Sequence, residues 1–251
     1  MLILHTLRRV LIAASFAAFA AFAMPAASDQ FHIGVGMGNT SAEYKNSDGN
    51  AYFLPVVQYQ SDLWSINIDR AELYLPLSQK SWLSAIAALR LQTLNDDTSD
   101  ATRGMEARKE SLDAGMGFNF YDQQLGYFAL EWVHDISQVH QGQKWSLVAA
   151  WPLEGPRLAI IPAVYFHQLD QQLVDYYYGV RAQEQQLNRP AYRGQATTNI
   201  GSSLEVSYNM TPRWRMQAEA RITHLGKGIT ASPIVDTDYR WNTMLSVSYK
   251  L

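Results

Sequence analysis

From Tyr239 to Leu251 the chain alternates. Trp241, Thr243, Leu245, Val247, Tyr249 and Leu251 hold the odd positions and are mostly apolar, whereas Arg240, Asn242, Ser246, Ser248 and Lys250 hold the even ones and are polar, Met244 excepted. Successive side chains of a strand point to opposite faces, so this period of two dictates a β-strand with one apolar and one polar face. Such a strand at the end of the sequence constrains everything before it. Read as the closing strand of a membrane β-barrel, it must seal against the first strand, because an edge left open in lipid exposes backbone groups that hydrocarbon cannot satisfy.

The other end of the sequence supplies the compartment. Arg8 and Arg9 precede an apolar run from Val10 to Ala23, and Ala26, Ala27 and Ser28 provide small residues for a cleavage site. That order predicts an export signal over residues 1–28, cut before Asp29 or, alternatively, after Ala23. The apolar core is shorter than the ~18–20 residues a spanning helix needs. The remainder carries 18 basic and 23 acidic residues, and nothing in it points to nucleic acid. With no cysteine, disulfides and thiolate chemistry are excluded. Past the signal, the longest apolar run, Leu158 to Phe166, contains Pro162 and has the length of a strand. If this chain enters outer-membrane lipid, it does so as strands.

Residues 29–251 read as alternating segments separated by turn signals. Phe31, Ile33, Val35 and Met37 alternate with His32, Gly34, Gly36 and Gly38. A polar loop follows from Ser41, then a strand over residues 52–60 turning at Ser61-Asp62. Two short alternating runs come next, Trp64 to Ile68 and Leu73 to Leu77. Further strands are expected over residues 82–93, 110–121, 123–136, 143–153, 157–167, 196–209, 213–225 and 239–251. Loops fall at residues 95–108 and 168–194. Counting residues 64–77 as a hairpin gives about twelve strands, the even number that single-chain barrels require, with ten as the alternative. The prediction is a transmembrane antiparallel β-barrel with both termini periplasmic. In this arrangement Trp64, Trp82, Trp151 and Trp214 fall at the inner strand ends, Trp145 and Trp241 at the outer ends, and Trp132 fits neither girdle well.

Phase places a set of charges inside: Asp69, Glu72, Arg90, Asp113, Glu131, Asp135, Lys144, Glu205, Arg213, Arg215, Glu219 and Arg221. On the lipid face near the midplane each arginine would cost ~2–4 kcal/mol, whereas the interior of a membrane barrel is polar. Their mixed signs fit a salt-bridge network across a narrow lumen better than a selective pore, which would show rings of one sign. Catalytic signals are weak. No Gly-x-Ser-x-Gly is present, and neither His134 nor His167 has a serine partner set by sequence. Asp96, Asp97 and Asp100 share an outer loop and His134-Asp135 lies near a strand end, a pattern that solvation alone accounts for. No catalytic group, cofactor or metal site is expected. The segment Tyr176-Tyr177-Tyr178-Gly179-Val180 stands out in the long loop, together with Pro190 and Tyr192, and reads either as a lid packed into the barrel mouth or as a partner-contact surface.

Tyr178-Gly179-Val180 followed by Arg189-Pro190-Ala191-Tyr192 resembles the conserved loop of the MipA/OmpV outer-membrane family, the MltA-interacting proteins. Gly34-Val35-Gly36, Leu54-Pro55, Ser232-Pro233-Ile234-Val235 and Ser248-Tyr249-Lys250 match it in order and spacing. The resemblance implies an integral outer-membrane protein without catalysis, a scaffold for murein-remodelling enzymes whose partners are a murein lytic transglycosylase and a murein synthase. The residues themselves leave two other readings open, a narrow small-solute pore and an outer-surface adhesin or receptor acting through residues 168–194.

Overall fold

The computed structural model describes residues 29–95 and 98–251. The expected export signal, residues 1–28, and Asp96 and Asp97 lie outside the described residues. The strands are β1 (Gln30–Thr40), β2 (Asn50–Gln60), β3 (Trp64–Ile66), β4 (Arg70–Pro76), β5 (Ser81–Arg90), β6 (Ser111–Asp122), β7 (Gly126–Asp135), β8 (Gln143–Ala150), β9 (Leu153–Glu154), β10 (Leu158–Leu169), β11 (Thr197–Asn209), β12 (Trp214–His224) and β13 (Tyr239–Lys250). β8 and β9 keep one register against β10, with Ala150 opposite Ala163 and Leu153 opposite Ile160. They are one strand interrupted at Pro152, which has no N–H to give to the ladder. The wall therefore has twelve antiparallel staves, in agreement with the strand parity of the sequence.

The barrel is closed. β13 pairs with β1 from His32 opposite Lys250 to Thr40 opposite Asn242. At this seam Gly34 lies against β13 so closely that a Cβ would sit 2.1 Å from the Val247 carbonyl oxygen, which explains the glycine there. Both described ends lie at the end of the barrel with the short turns, and the long connections gather at the other.

The alternation read from sequence sorts the two faces. Ile33, Val35, Met37, Trp241 and Leu245 point outward and are exposed, whereas His32, Ser246 and Ser248 are buried inward. Rings collect at both ends of the outer surface. Trp214 packs edge-on against Tyr249 at 5.1 Å and Tyr59 against Trp64 at 4.4 Å near the short turns, while His224 and Tyr239 meet at 5.0 Å near the long loops. Trp132 belongs to this second girdle, 6.4 Å from Trp145, and its indole N–H donates to Gln143. Trp82 is the correction. It stands at the expected height but points into the lumen, buried against Tyr74 with Tyr121 and Tyr127 beside them.

Two short helices were not legible as period-two segments. α1 (Gln171–Tyr178) and α2 (Lys227–Thr230) sit within the loops at the long-loop end. Asp170 caps α1 by accepting from the Leu173 N–H at 3.0 Å. Asp170→Ala is therefore expected to loosen α1 by about 1 kcal/mol, the usual worth of such a cap, seen as faster proteolysis of this loop in refolded protein with the barrel intact.

Candidate functional site

The largest hydrophobic cluster of the described residues lies across the barrel mouth, outside the stave region. Leu173, Val174, Tyr177 and Tyr178 of α1 pack with Val180, with Ile229 of α2, with Leu225, Ile234 and Val235 from the last loop, and with Tyr44, Leu94 and Met105 from two others. Leu173, Val174, Tyr177, Ile229 and Ile234 are almost fully buried. Four loops therefore share one apolar core, and that core is a lid.

Hydrogen bonds fix it. Tyr178 donates its hydroxyl to Glu43 at 2.5 Å and receives Gln92 at 3.0 Å, while its carbonyl accepts from the Ser232 hydroxyl at 2.6 Å. Val180 and Tyr192 form a two-residue antiparallel bridge, and the Tyr192 hydroxyl donates to the Gly228 carbonyl at 2.8 Å. Arg189 is buried and donates to the carbonyls of Glu184 and Ala101 at 2.6 and 2.7 Å, leaving Pro190 exposed beside it. Motifs that are far apart in sequence thus meet in the lid. The Tyr176 to Val180 segment folds inward, so Tyr177 and Tyr178 are buried in the lid; Tyr176 is half-buried, stacked edge-on against Tyr177 at 4.9 Å.

A buried ion pair ties the loop that carries α1 to the β5–β6 loop. Arg108 is almost fully buried and meets both carboxylate oxygens of Glu184 at 3.0 Å, while its Nε donates to the Tyr176 carbonyl at 2.6 Å. Both contacts come from the one Nη2, a charge-assisted pair held away from water, while Nε and Nη1 donate to backbone carbonyls. Burial pushes the Glu184 carboxyl up, but hydrogen bonds from Arg108 and from the Arg181 amide outweigh it and hold the carboxyl below the ordinary glutamate range. Burial likewise pushes the Tyr44 and Tyr178 phenols well up, helped by the charge of Glu43.

Below the lid lie most of the charges expected inside. Arg70 bridges Glu131 at 2.8 Å and also Glu72, Arg90 bridges Asp113 at 2.6 Å, and Arg221 bridges Glu219 at 2.6 Å. Asp69 is buried at the tip of the β3–β4 hairpin. Glu205 receives Gln217 at 3.3 Å, and Arg215 donates to Asn209 at 3.1 Å nearer the short turns. Arg213 is not a lumen charge: it precedes β12 in an exposed turn, where it donates to the Tyr249 hydroxyl at 2.8 Å. Its phase was right, but the strand starts one residue later.

Two constellations invite chemistry and are accounted for structurally. Ser146 and His167 are cross-strand partners with Oγ 3.0 Å from Nδ1, a pairing the sequence did not reveal. Ser146 is buried between its strand neighbours. Asp113, Asp135 and His140 bring ligand atoms within 4.8 Å of one another. Asp135 accepts from the backbone N–H groups of Ser137, His140 and Gln141, and Asp113 from Arg90, Ser111 and His140, so the cluster closes on itself as a loop clamp. Of the acidic loop, Asp100 is exposed and paired with Arg103. Beneath the lid remains a cavity of about 330 Å3, lined in part by Arg90, Lys144, His167 and Arg240.

The family model described as MltA-interacting protein MipA matches residues 33–251. The MltA-interacting protein of Escherichia coli K12 is 25% identical over 229 residues, covering 89% of this chain and 91% of that protein. Outer membrane protein OmpV of Vibrio cholerae is 24% identical over 155 residues, 62% of this chain and 60% of its own length. Among solved structures, the NanC porin is similar in fold at 9% identity and a TM-score of 0.47, covering 87% of this chain and all of that one.

Proposed function

The chain belongs to the MltA-interacting protein family of outer-membrane β-barrels, and on that premise we propose that it is a non-enzymatic scaffold holding a murein lytic transglycosylase, and with it a murein synthase, at the inner face of the outer membrane. The lid is the observation that carries this reading. It buries the tyrosine segment that a receptor would have displayed, and it covers the mouth that a diffusion pore would have kept open. A second cluster, Tyr74, Trp82, Tyr121 and Tyr127, lies inside the barrel toward the short turns, on the adjoining staves β4 to β7. Free surface for a partner then lies at the turns.

Those turns are short but not bland. Leu63, Leu77 and Leu125 are exposed on three successive ones, and Lys80 bridges Asp122 from one turn to the next at 2.5 Å. Apolar side chains rimmed by paired charges are the usual anatomy of a modest contact surface. With these turns and both termini facing the periplasm, the partner is captured from inside the cell envelope. A photoreactive residue at Gln79 is expected to crosslink the lytic transglycosylase in native envelopes, whereas one at Leu187, fully exposed among the long loops, is expected to capture none. Murein enzymes captured from Leu187, or from neither site, would overturn the assignment.

A further inference from the structure

Two inward carboxylates face each other in the barrel wall. Glu205 of β11 and Glu219 of β12 are cross-strand partners, and like charges placed opposite one another in a ladder repel. One guanidinium serves the pair. Arg221 bridges Glu219 at 2.6 Å, whereas among the described residues Glu205 accepts only from the Gln217 amide, at 3.3 Å, and has no ion-pair partner. Arg215, the next inward cation of β12, donates to Asn209 and forms no ion pair among the described residues. Confined in the lumen, a carboxylate without a cation is costly.

A cavity of about 90 Å3 lies at this pair. Besides Glu205 and Glu219 it is lined by Gln217, by Asn67 and Asp69 at the tip of the β3–β4 hairpin, and by Ser246 of β13. Ser246 is an independent mark of a ligand. It is only 5% exposed and points inward with the even residues of β13, yet its hydroxyl has no hydrogen-bond partner among the described residues and borders this space. A buried hydroxyl left unmet by protein calls for a partner in the cavity. No lysine, arginine or histidine of the described residues lines the cavity. Its polar lining offers carboxylate, amide and hydroxyl oxygens, the donor set of a hard cation.

Size and position narrow the choice. The volume exceeds the ~10–15 Å3 that one water needs, so it admits an ion with part of its hydration shell. The oxygens come from four separate stretches of chain, an irregular set. Calcium takes ~6–8 oxygens in flexible geometry, whereas magnesium demands a near-ideal octahedron. An ion here also meets a weakness in the wall. β2 pairs with β1 along its whole length but meets β3 only at Tyr59 and Gln60. On the far side of the hairpin, the Leu89 N–H of β5 donates to the Asp69 carbonyl. The hairpin tip thus has a strand beside it toward β5 and the cavity beside it toward β2.

We propose that this cavity is a structural calcium site. Glu205 and Glu219 supply carboxylate oxygens from β11 and β12, Ser246 a hydroxyl from β13, and Asn67 and Asp69 side-chain oxygens from the hairpin tip, so the ion ties the tip to the wall formed by β11 to β13. The site goes beyond the scaffold role and is independent of it.

The test uses full-length protein refolded in calcium-free detergent without lipopolysaccharide, and radioactive calcium in equilibrium dialysis. A single saturable site per chain is expected, with magnesium a much weaker competitor. Glu205→Gln keeps the size of the side chain and removes its charge, and should weaken calcium binding about tenfold or more, since ligand charge sets affinity at such sites. Glu110→Gln, at an exposed acid near the long loops, should leave it unchanged. Heat-modifiable gel mobility verifies that every variant is folded and gives a second readout. Saturating calcium should raise the temperature at which that mobility is lost in the unaltered protein and in Glu110→Gln, but not in Glu205→Gln, because a ligand held only by the folded state stabilises it. No saturable binding, equal affinity in Glu205→Gln, or magnesium binding as tight as calcium would each overturn the site. A thermal transition indifferent to calcium would overturn it too, and would make Glu205 a carboxyl that the fold keeps protonated.

Discussion

Arg108→Met opens the lid. Removing one member of a buried ion pair strands the other, and the uncompensated charge costs about 3–5 kcal/mol. Here the stranded group is Glu184, almost fully buried, with both carboxylate oxygens 3.0 Å from the Arg108 Nη2. The loss falls on the lid and not on the staves, because both partners lie in loops outside the strand ladder. A Val174→Cys background gives the readout, since Val174 is fully buried in the lid core and its thiol would be the only one in the chain. Labelling by a water-soluble methanethiosulfonate is expected to accelerate more than a hundredfold on adding Arg108→Met, the factor that about 3 kcal/mol implies. Heat-modifiable mobility of the barrel should persist. An unchanged labelling rate would mean that Arg108 does not hold the lid.

The same pair fixes a pH dependence. Glu184 in the folded lid has its carboxyl below the ordinary glutamate range. A depressed carboxyl contributes stability that is present above its unfolded pKa and is lost as pH falls through the folded value. Labelling of Val174→Cys should therefore accelerate on acidification below the ordinary glutamate range. In Arg108→Met the sign reverses, because a buried carboxylate without its cation is favoured by protonation.

How much of this was legible depended on whether the signal was local. Alternation along one strand is local, so Trp241 to Leu251 announced the last stave, and parity resolved residues 64–77 into a hairpin. Inward phase placed Glu72, Arg90, Asp113, Glu131, Glu219 and Arg221 for the same reason. It failed at Arg213 because the backbone there still pairs with Lys250, but the side chain stands at the exposed end of the strand and reaches the Tyr249 hydroxyl. The lid was visible only as three tyrosines with two alternative fates. Its core draws Tyr44, Leu94, Met105, Tyr177, Ile229 and Ile234 from four loops, each contributing too few apolar residues for a period to emerge. α1 escaped for a related reason, since eight residues give barely two turns. The serine beside His167 was hidden by register, which no single strand encodes.

Tyr177 separates lid from barrel most sharply. Its ring is fully buried, edge-on to Tyr176, and 5.9 Å from His140 at the loop clamp; its hydroxyl donates to the Lys109 carbonyl at 3.0 Å. Truncating a buried aromatic to alanine costs about 3–5 kcal/mol, since the cavity left behind adds to the lost burial. Tyr177→Phe removes only the hydroxyl and should cost about 1 kcal/mol, one hydrogen bond net. In the Val174→Cys background, Tyr177→Ala is thus expected to raise the labelling rate more than a hundredfold and Tyr177→Phe less than about tenfold. Barrel mobility should remain heat-modifiable in both. Conductance in planar bilayers is expected to stay low even in Tyr177→Ala, because Tyr74, Trp82, Tyr121 and Tyr127 still narrow the lumen near the short turns. A large steady conductance from Tyr177→Ala would instead make the lid the only barrier and favour a gated pore over the scaffold. A Tyr177→Phe variant as loose as Tyr177→Ala would shift the weight of the lid from packing to the Lys109 hydrogen bond.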